Sequence, residues 1–276
     1  MVLYVPKGRA REYAPLAVNH YTGCEHGCLY CYVPTIPPYK FSENGRQEFH
    51  QTGSPRRGVL RALEVDCRRT PGTGQRVLLS FTTDPYQPVD AKYRLTREVI
   101  VLLHQYGYNV QILTKGGTRA LTDLDVMGPG DAFAATMTLL TDEATAKWEP
   151  GAASPQDRMK ALQAFHAAGV PTWVSLEPVL SPTAALEIIQ RTHSYVDLYK
   201  IGRLNHHPLG ETIDWCRFGL DAVAKCESLG NLYYVKHDLA AAMPRNSLGP
   251  HHRTAQQIEA MAPAMPTIAP RQAILL

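Results

Sequence analysis

Three thiols crowd one short stretch of the chain. Cys24, Cys28 and Cys31 lie in the run Gly23-Cys24-Glu25-His26-Gly27-Cys28-Leu29-Tyr30-Cys31-Tyr32. Thiolates are metal ligands, and three on one loop can converge on a single iron–sulfur cube. Clusters held by four cysteines serve electron transfer, whereas three cysteines leave one iron open to a substrate or cofactor. Gly23 and Gly27 supply the backbone freedom needed to wrap a cube. A structural zinc site is the competing reading; zinc wants a fourth ligand, and His26 sits too close between the cysteines to complete a usual pattern. The other three of the 6 cysteines are scattered. Cys67 continues an apolar face with Leu63, Cys216 joins Ile213, Leu220 and Val223, and Cys226 lies on the same helix, so all three read as buried small hydrophobes. Disulfide frameworks belong to short, cysteine-dense secreted chains, and a chain of 276 residues with 6 cysteines is neither.

The rest of the chain must position that loop. Hydrophobic residues at 45% and charged residues at 19% are the balance of a globular protein with a full core. A formal net charge of +3 does not decide for or against nucleic acid, because a binding face depends on where the charge lies. No apolar run reaches the roughly 18 residues of a membrane span. Lys7, Arg9 and Arg11 are not followed by the apolar core of a secretory leader, so the expected location is the reducing cytoplasm.

Apolar runs of strand length fall at 17–22, 76–82, 109–114, 131–140, 171–177, 195–201 and 231–236. Residues 33–55, rich in Pro and Gly, read as a long loop. Helical spacing begins after Pro55 and recurs at 95–106, 118–127, 154–168, 183–192 and 211–229. Ser154 is a natural cap for the helix that Pro155 opens, and Gly169 ends it. Near-continuous apolar strands alternating with amphipathic helices predict an α/β fold with a parallel sheet, a partial (β/α)6-type TIM barrel. The barrel is expected over residues 1–243. Residues 244–276 form an irregular C-terminal extension, with room for a short helix at 254–261.

The spacing Cys24-x-x-x-Cys28-x-x-Cys31, with the aromatic Tyr30 before the last cysteine, resembles the radical S-adenosylmethionine (SAM) superfamily. The chain further resembles its spore photoproduct lyase-related branch, often labelled DNA repair photolyase. The matching pieces are Asn19-x-Tyr21-Thr22-Gly23-Cys24, Tyr30-Cys31-Tyr32, Thr83-Asp84-Pro85-Tyr86-Gln87-Pro88, Leu113-Thr114-Lys115, and Trp148 to Pro155 with Arg158. The resemblance implies a [4Fe-4S] cluster on the three cysteines whose open iron chelates SAM. It implies an electron from a reducing partner such as flavodoxin or ferredoxin, cleavage of SAM to methionine and a 5′-deoxyadenosyl radical, and hydrogen abstraction from a substrate. DNA or RNA is the substrate class that this branch suggests. A protein or small-molecule substrate, or a non-catalytic metal module binding nucleic acid, are the alternatives.

In a parallel barrel the active site lies at the C-terminal strand ends. Thr82, Thr83 and Asp84 end the second strand and could bind the ammonium or ribose of SAM, although Pro85 and Pro88 would also make a plain turn there. Lys115 ends the third strand, where a cation could meet the SAM carboxylate. Thr136 and Thr138 interrupt the apolar fourth strand, and inward hydroxyls need partners. Glu177 ends the fifth strand, placed to bind ribose hydroxyls or to pair with Arg158. Lys200, Arg203 and Asn205, and then Lys236, His237 and Asp238, follow the last two strands and are candidates to face substrate. Tyr32 matches a tyrosine that the lyases use in radical relay and is the candidate catalytic residue. These lyases also use a cysteine as hydrogen donor just before the Thr-Asp turn; here the neighbourhood reads Ser80-Phe81-Thr82-Thr83-Asp84, and Phe81 has no thiol to give. Arg56, Arg57, Arg61, Arg68 and Arg69 could track a phosphate backbone or simply solvate a helix face.

Overall fold

Alternation along the strands divides the molecule into an interior and a helical shell. On the strand Ala132–Thr136, Phe133 and Ala135 pack outward into the main core, while Ala132 and Ala134 face inward with Trp173 and Leu198. The outward Phe133 stacks on Phe165, ring centroids 3.8 Å apart. Phe165 completes the buried stripe Arg158, Ala161, Leu162, Phe165 of the helix Pro155–Ala167, the spacing of one helical face. Ser154 caps that helix by accepting from the Asp157 amide. In this computed structural model, which describes residues 1–261, seven such strands run parallel.

In chain order the strands are β1 (Leu3–Tyr4), β2 (Leu16–Val18), β3 (Tyr21–Thr22), β4 (Ser54–Pro55), β5 (Arg76–Leu79), β6 (Asn109–Thr114), β7 (Ala132–Thr136), β8 (Thr172–Leu176), β9 (Leu198–Ile201) and β10 (Leu232–Val235). The main sheet has the order β1-β2-β5-β6-β7-β8-β9-β10, with β1 antiparallel at its edge, and β3 pairs β4 in a separate ribbon. This is the partial-barrel α/β fold expected. The connection between β1 and β2 spans the gap between the first and last parallel strands: Glu12 Oε1 accepts from the Tyr234 hydroxyl and the His237 amide, both at 2.9 Å.

Local departures from the expected elements have local causes. The run 17–22 is broken after Val18, because the Asn19 side chain accepts from the Phe81 and Thr82 amides and His20 turns inward to Thr96 and Ser80. The long loop 33–55 contains the helix Gly45–Gln51, anchored by buried Phe49. The segment 118–127 is a 3-10 helix, Gly117–Val126, and a short helix Asp142–Trp148 follows β7. Cys67 and Cys226 are buried in the core, where burial pushes their thiols up to about 11 and about 12. Beyond Met243 the chain returns to the barrel. His252 bridges Tyr233, and the helix Ala255–Ala260, with a Thr254–Gln257 capping box, sends Ile258 in against the Ala134 and Trp173 cluster. The remainder of the expected extension, 262–276, lies outside the described residues. Among the described residues no helix is long and apolar enough to cross a membrane.

Candidate active site

The cysteine loop is fixed mainly through its backbone. The Cys24 amide donates to Phe49 O and the Leu29 amide to Trp148 O, both at 2.9 Å. Gln87 accepts from the Glu25 amide and donates to Gly23 O, while Arg46 donates to the carbonyls of Cys28, Leu29 and Cys31. Gly23 sits at φ 72°, and a Cβ there would lie 2.7 Å from Thr52 O, so glycine is required by conformation and by space. Spending the backbone on these contacts leaves the three thiols facing one cavity of about 530 Å³ at the C-terminal end of the barrel.

That cavity gathers most of the expected residues. Tyr30, Tyr32, Thr82, Thr83, Asp84, Lys115, Thr136 and Glu177 line it together with Cys24, Cys28 and Cys31. Asp84 ties the strand ends to one another. It accepts from the Thr114 hydroxyl at 2.6 Å and from the Lys115 and Tyr86 amides at 2.7 and 2.9 Å, with the His26 ring at 3.4 Å. Burial alone would favour its neutral acid, but His26, Thr114 and the Lys115 amide outweigh it and hold the carboxyl well below its ordinary range. Asp84 therefore orients the wall as an ionised hub.

Arg158 and Thr138 are not brought to the cavity. Thr138 lies beyond the end of β7 and donates to Glu149 at 2.7 Å. Arg158 is 1% exposed and spends its donors on Ala153 O, Thr136 O and the Glu149 carboxylate. Glu149 also accepts from the Tyr30 hydroxyl, so this buried pair braces the cluster loop from behind. Glu177 meets Lys236 rather than Arg158, and the Tyr13 hydroxyl donates to it at 2.6 Å. Of the candidates after the last two strands, Arg203, Asn205, Lys236 and Asp238 line the cavity, whereas Lys200 is buried outside its lining with its amine on Glu12 O and Tyr13 O, and His237 is exposed. None of Arg56, Arg57, Arg61, Arg68 and Arg69 lines the cavity, and Phe81 stands in its wall, 5.6 Å from the Tyr13 ring.

Sequence reasoning missed Tyr13, Glu149 and Ser175. Glu149 lay inside the motif run Trp148 to Pro155, which was the available clue. Ser175 could have been found by alternation, since it stands two residues before Glu177 on the same face.

The side chains fit a bound cluster and cofactor. Thr83 Oγ1 and Ser175 Oγ are buried without a hydrogen-bond partner, and both residues line the cavity. Buried polar atoms are nearly always satisfied, so a polar group seated against this wall would complete them. Lys115, with its Nζ 5.7 Å from the Tyr30 ring, supplies a cation on the cluster side. Among the described residues no three His, Cys, Asp or Glu side chains converge as a single metal ion needs.

Several known proteins are similar to this chain. The chain is 30% identical over 168 residues to the uncharacterized protein Rv2578c of Mycobacterium tuberculosis, covering 59% of this chain and 49% of that protein. It thus spans about half the length of that relative. It is 23% identical to the uncharacterized protein MJ0683 of Methanocaldococcus jannaschii, over 70% of this chain and 71% of that one. Its fold is similar to a spore photoproduct lyase variant with bound AdoMet and dinucleoside spore photoproduct, with a TM-score of 0.62 and 13% identity over 85% of this chain and 78% of that chain. It is also similar to Streptococcus suis SuiB bound to S-adenosylmethionine, with a TM-score of 0.58 and 10% identity over 82% and 51% of the two chains. The model of the radical SAM superfamily matches residues 18–195, and the chain belongs to that family of enzymes.

Proposed function

We propose that this enzyme holds a [4Fe-4S] cluster on Cys24, Cys28 and Cys31 and seats SAM across the ends of β5 to β8, to act on a nucleic-acid substrate. When bound, that pair supplies one-electron reductive cleavage of SAM to methionine and a 5′-deoxyadenosyl radical, a hydrogen-abstracting agent. Thr82, Thr83 and Ser175 offer hydroxyls to the cofactor, and Lys115 offers its ammonium to the carboxylate. Asp84 keeps Lys115 and the second strand end in register. The electron comes from a low-potential donor such as flavodoxin or ferredoxin, in a reducing cytoplasm. The observation that carries the reading is one cavity lined by all three cysteines and by two buried hydroxyls without partners, those of Thr83 and Ser175.

The nucleic-acid part rests on the spore photoproduct lyase likeness and on the exposed aromatic Tyr32 at the cavity rim, 45% accessible and able to stack on a base or relay a radical. Photoproduct repair itself is not expected, because Phe81 stands where a hydrogen-donating thiol would be needed. The test is anaerobic reconstitution followed by reduction with dithionite. The wild type should turn brown and form 5′-deoxyadenosine; Cys28→Ala should lose the visible absorption and the product together. A fully loaded wild type that never cleaves SAM refutes the catalytic reading. Metal-dependent nucleic-acid binding without SAM affinity would favour the non-catalytic module instead.

A further inference from the structure

We propose that Arg203 is the anchor for a backbone phosphate of the substrate, a proposal that rests on the nucleic-acid reading of the site. Arg203 follows β9, on the side of the cavity away from the Lys115 wall, and its Nε is buried with no hydrogen-bond partner. Its guanidinium carbon lies 5.3 Å from the Trp215 ring. That ring is itself fixed, because its indole N–H donates to Gly210 O at 2.7 Å. The guanidinium thus lies against a fixed ring, with its Nε given no acceptor by the protein.

Two of the neighbouring cations of the cavity have carboxylate partners. Lys236 pairs with Glu177, and Arg9 pairs with Asp238 at 2.9 Å. Lys115 is the cation assigned to the SAM carboxylate in the proposed function. Arg203 has no carboxylate partner among the described residues. A guanidinium partly withdrawn from water without a counterion is costly, and a planar fork of donors matches an oxyanion of phosphate through two parallel bonds. The ligand would supply the missing charge. A phosphodiester is favoured over a lone carboxylate because the exposed Lys7 and His206 line the same cavity, whose acids Glu177 and Asp238 are already paired with Lys236 and Arg9. Tyr32 offers a stacking face on the same cavity.

The experiment measures binding of a short oligothymidylate to the cluster-loaded enzyme with SAM present, by fluorescence anisotropy. A matched oligomer with neutral methylphosphonate linkages is the comparison. The wild type should prefer the phosphodiester. Arg203→Met should weaken that binding by about 10- to 100-fold, as for loss of a charge-assisted hydrogen bond, and flatten the salt dependence by about 0.7 in log–log slope. Arg203→Lys should recover part of the loss. Arg191→Gln, an exposed arginine away from the cavity, should leave binding unchanged. Circular dichroism and iron content check that the variants are folded and loaded. The proposal is overturned if folded Arg203→Met binds as wild type does, if the neutral oligomer binds equally well, or if neither oligomer binds. It is also overturned if an acidic peptide binds through Arg203 while the oligonucleotide does not. Arg203-dependent binding by a wild type that never cleaves SAM would refute the catalytic reading and leave the anchor standing.

Discussion

Lys200 sits in the barrel interior at 1% exposure, and its charge can be weighed directly against pH. Its amine donates to Glu12 O at 3.3 Å and Tyr13 O at 3.0 Å and lies 4.5 Å from the Trp173 ring, with no carboxylate partner among the described residues. Burial, reinforced by the like charges of Lys236 and Arg76, pulls its pKa from 10.5 down to about 7. At about 1.4 kcal/mol per unit, that difference is on the order of 4–5 kcal/mol. The folded pKa is below the unfolded one, so below about pH 7 both states carry the proton and the full cost of the buried charge is present. Between about pH 7 and pH 10.5 the unfolded chain holds a proton that the folded one has released, and stability rises with pH. Lys200→Met removes the charge, keeps an unbranched stem and leaves Glu12 O without this donor, a loss of about 1–2 kcal/mol. Tyr13 O keeps the Gln111 amide at 2.7 Å. The variant should therefore be more stable than wild type by about 2–4 kcal/mol near pH 6, and slightly less stable near pH 10. Urea unfolding of both cofactor-free proteins at the two pH values measures the difference. An equal effect of the substitution at both would refute the desolvation argument.

Glu149→Ala should destabilise the protein by about 3–5 kcal/mol, because it leaves Arg158 buried and unpaired; thermal unfolding beside Arg158→Met, which removes the stranded charge instead, reads the asymmetry. Gly151→Ala would drive a Cβ into Glu25 O, so the cluster loop must shift, and iron bound per chain after reconstitution should fall while the secondary structure stays intact. His20 is buried, and desolvation pulls its pKa from 6.5 down to about 3. Its folded value lies below its unfolded one, so stability is complete above pH 6.5 and lost as pH falls from there toward 3. His20→Gln should flatten that acid limb in urea titrations.

The parallel strands were legible because each had to be apolar on both faces, and a run such as Val77 to Leu79 can be little else. The cysteine loop was legible because its chemistry is local. The braces of that loop were not. Arg158 appears in the sequence as a charge on an otherwise apolar helical stripe, which invites a ligand; only the fold reveals that Glu149 comes back to meet it, beyond a helix that composition does not announce. The helix Gly45–Gln51 was hidden for a related reason: its neighbourhood is written in Pro and Gly, and it is held by tertiary contact, with Phe49 buried and Gly45 fitted against Tyr39 O.

Register is the deeper loss. Thr136 pairs with Ser175 and Ser175 with Lys200 across β7, β8 and β9, so three polar residues that look like unrelated interruptions of apolar strands form one level inside the barrel. One level up, Glu177 and Lys236 meet across its upper edge. Alternation alone put Thr136 and Thr138 on one footing, yet β7 ends between them and sends the second to Glu149. Polar interruptions in buried strands therefore mark, in the order of residues alone, the height of the site along the barrel axis. What decides whether a given residue faces the cavity or braces its wall is the pairing of strands, and that depends on the whole sheet.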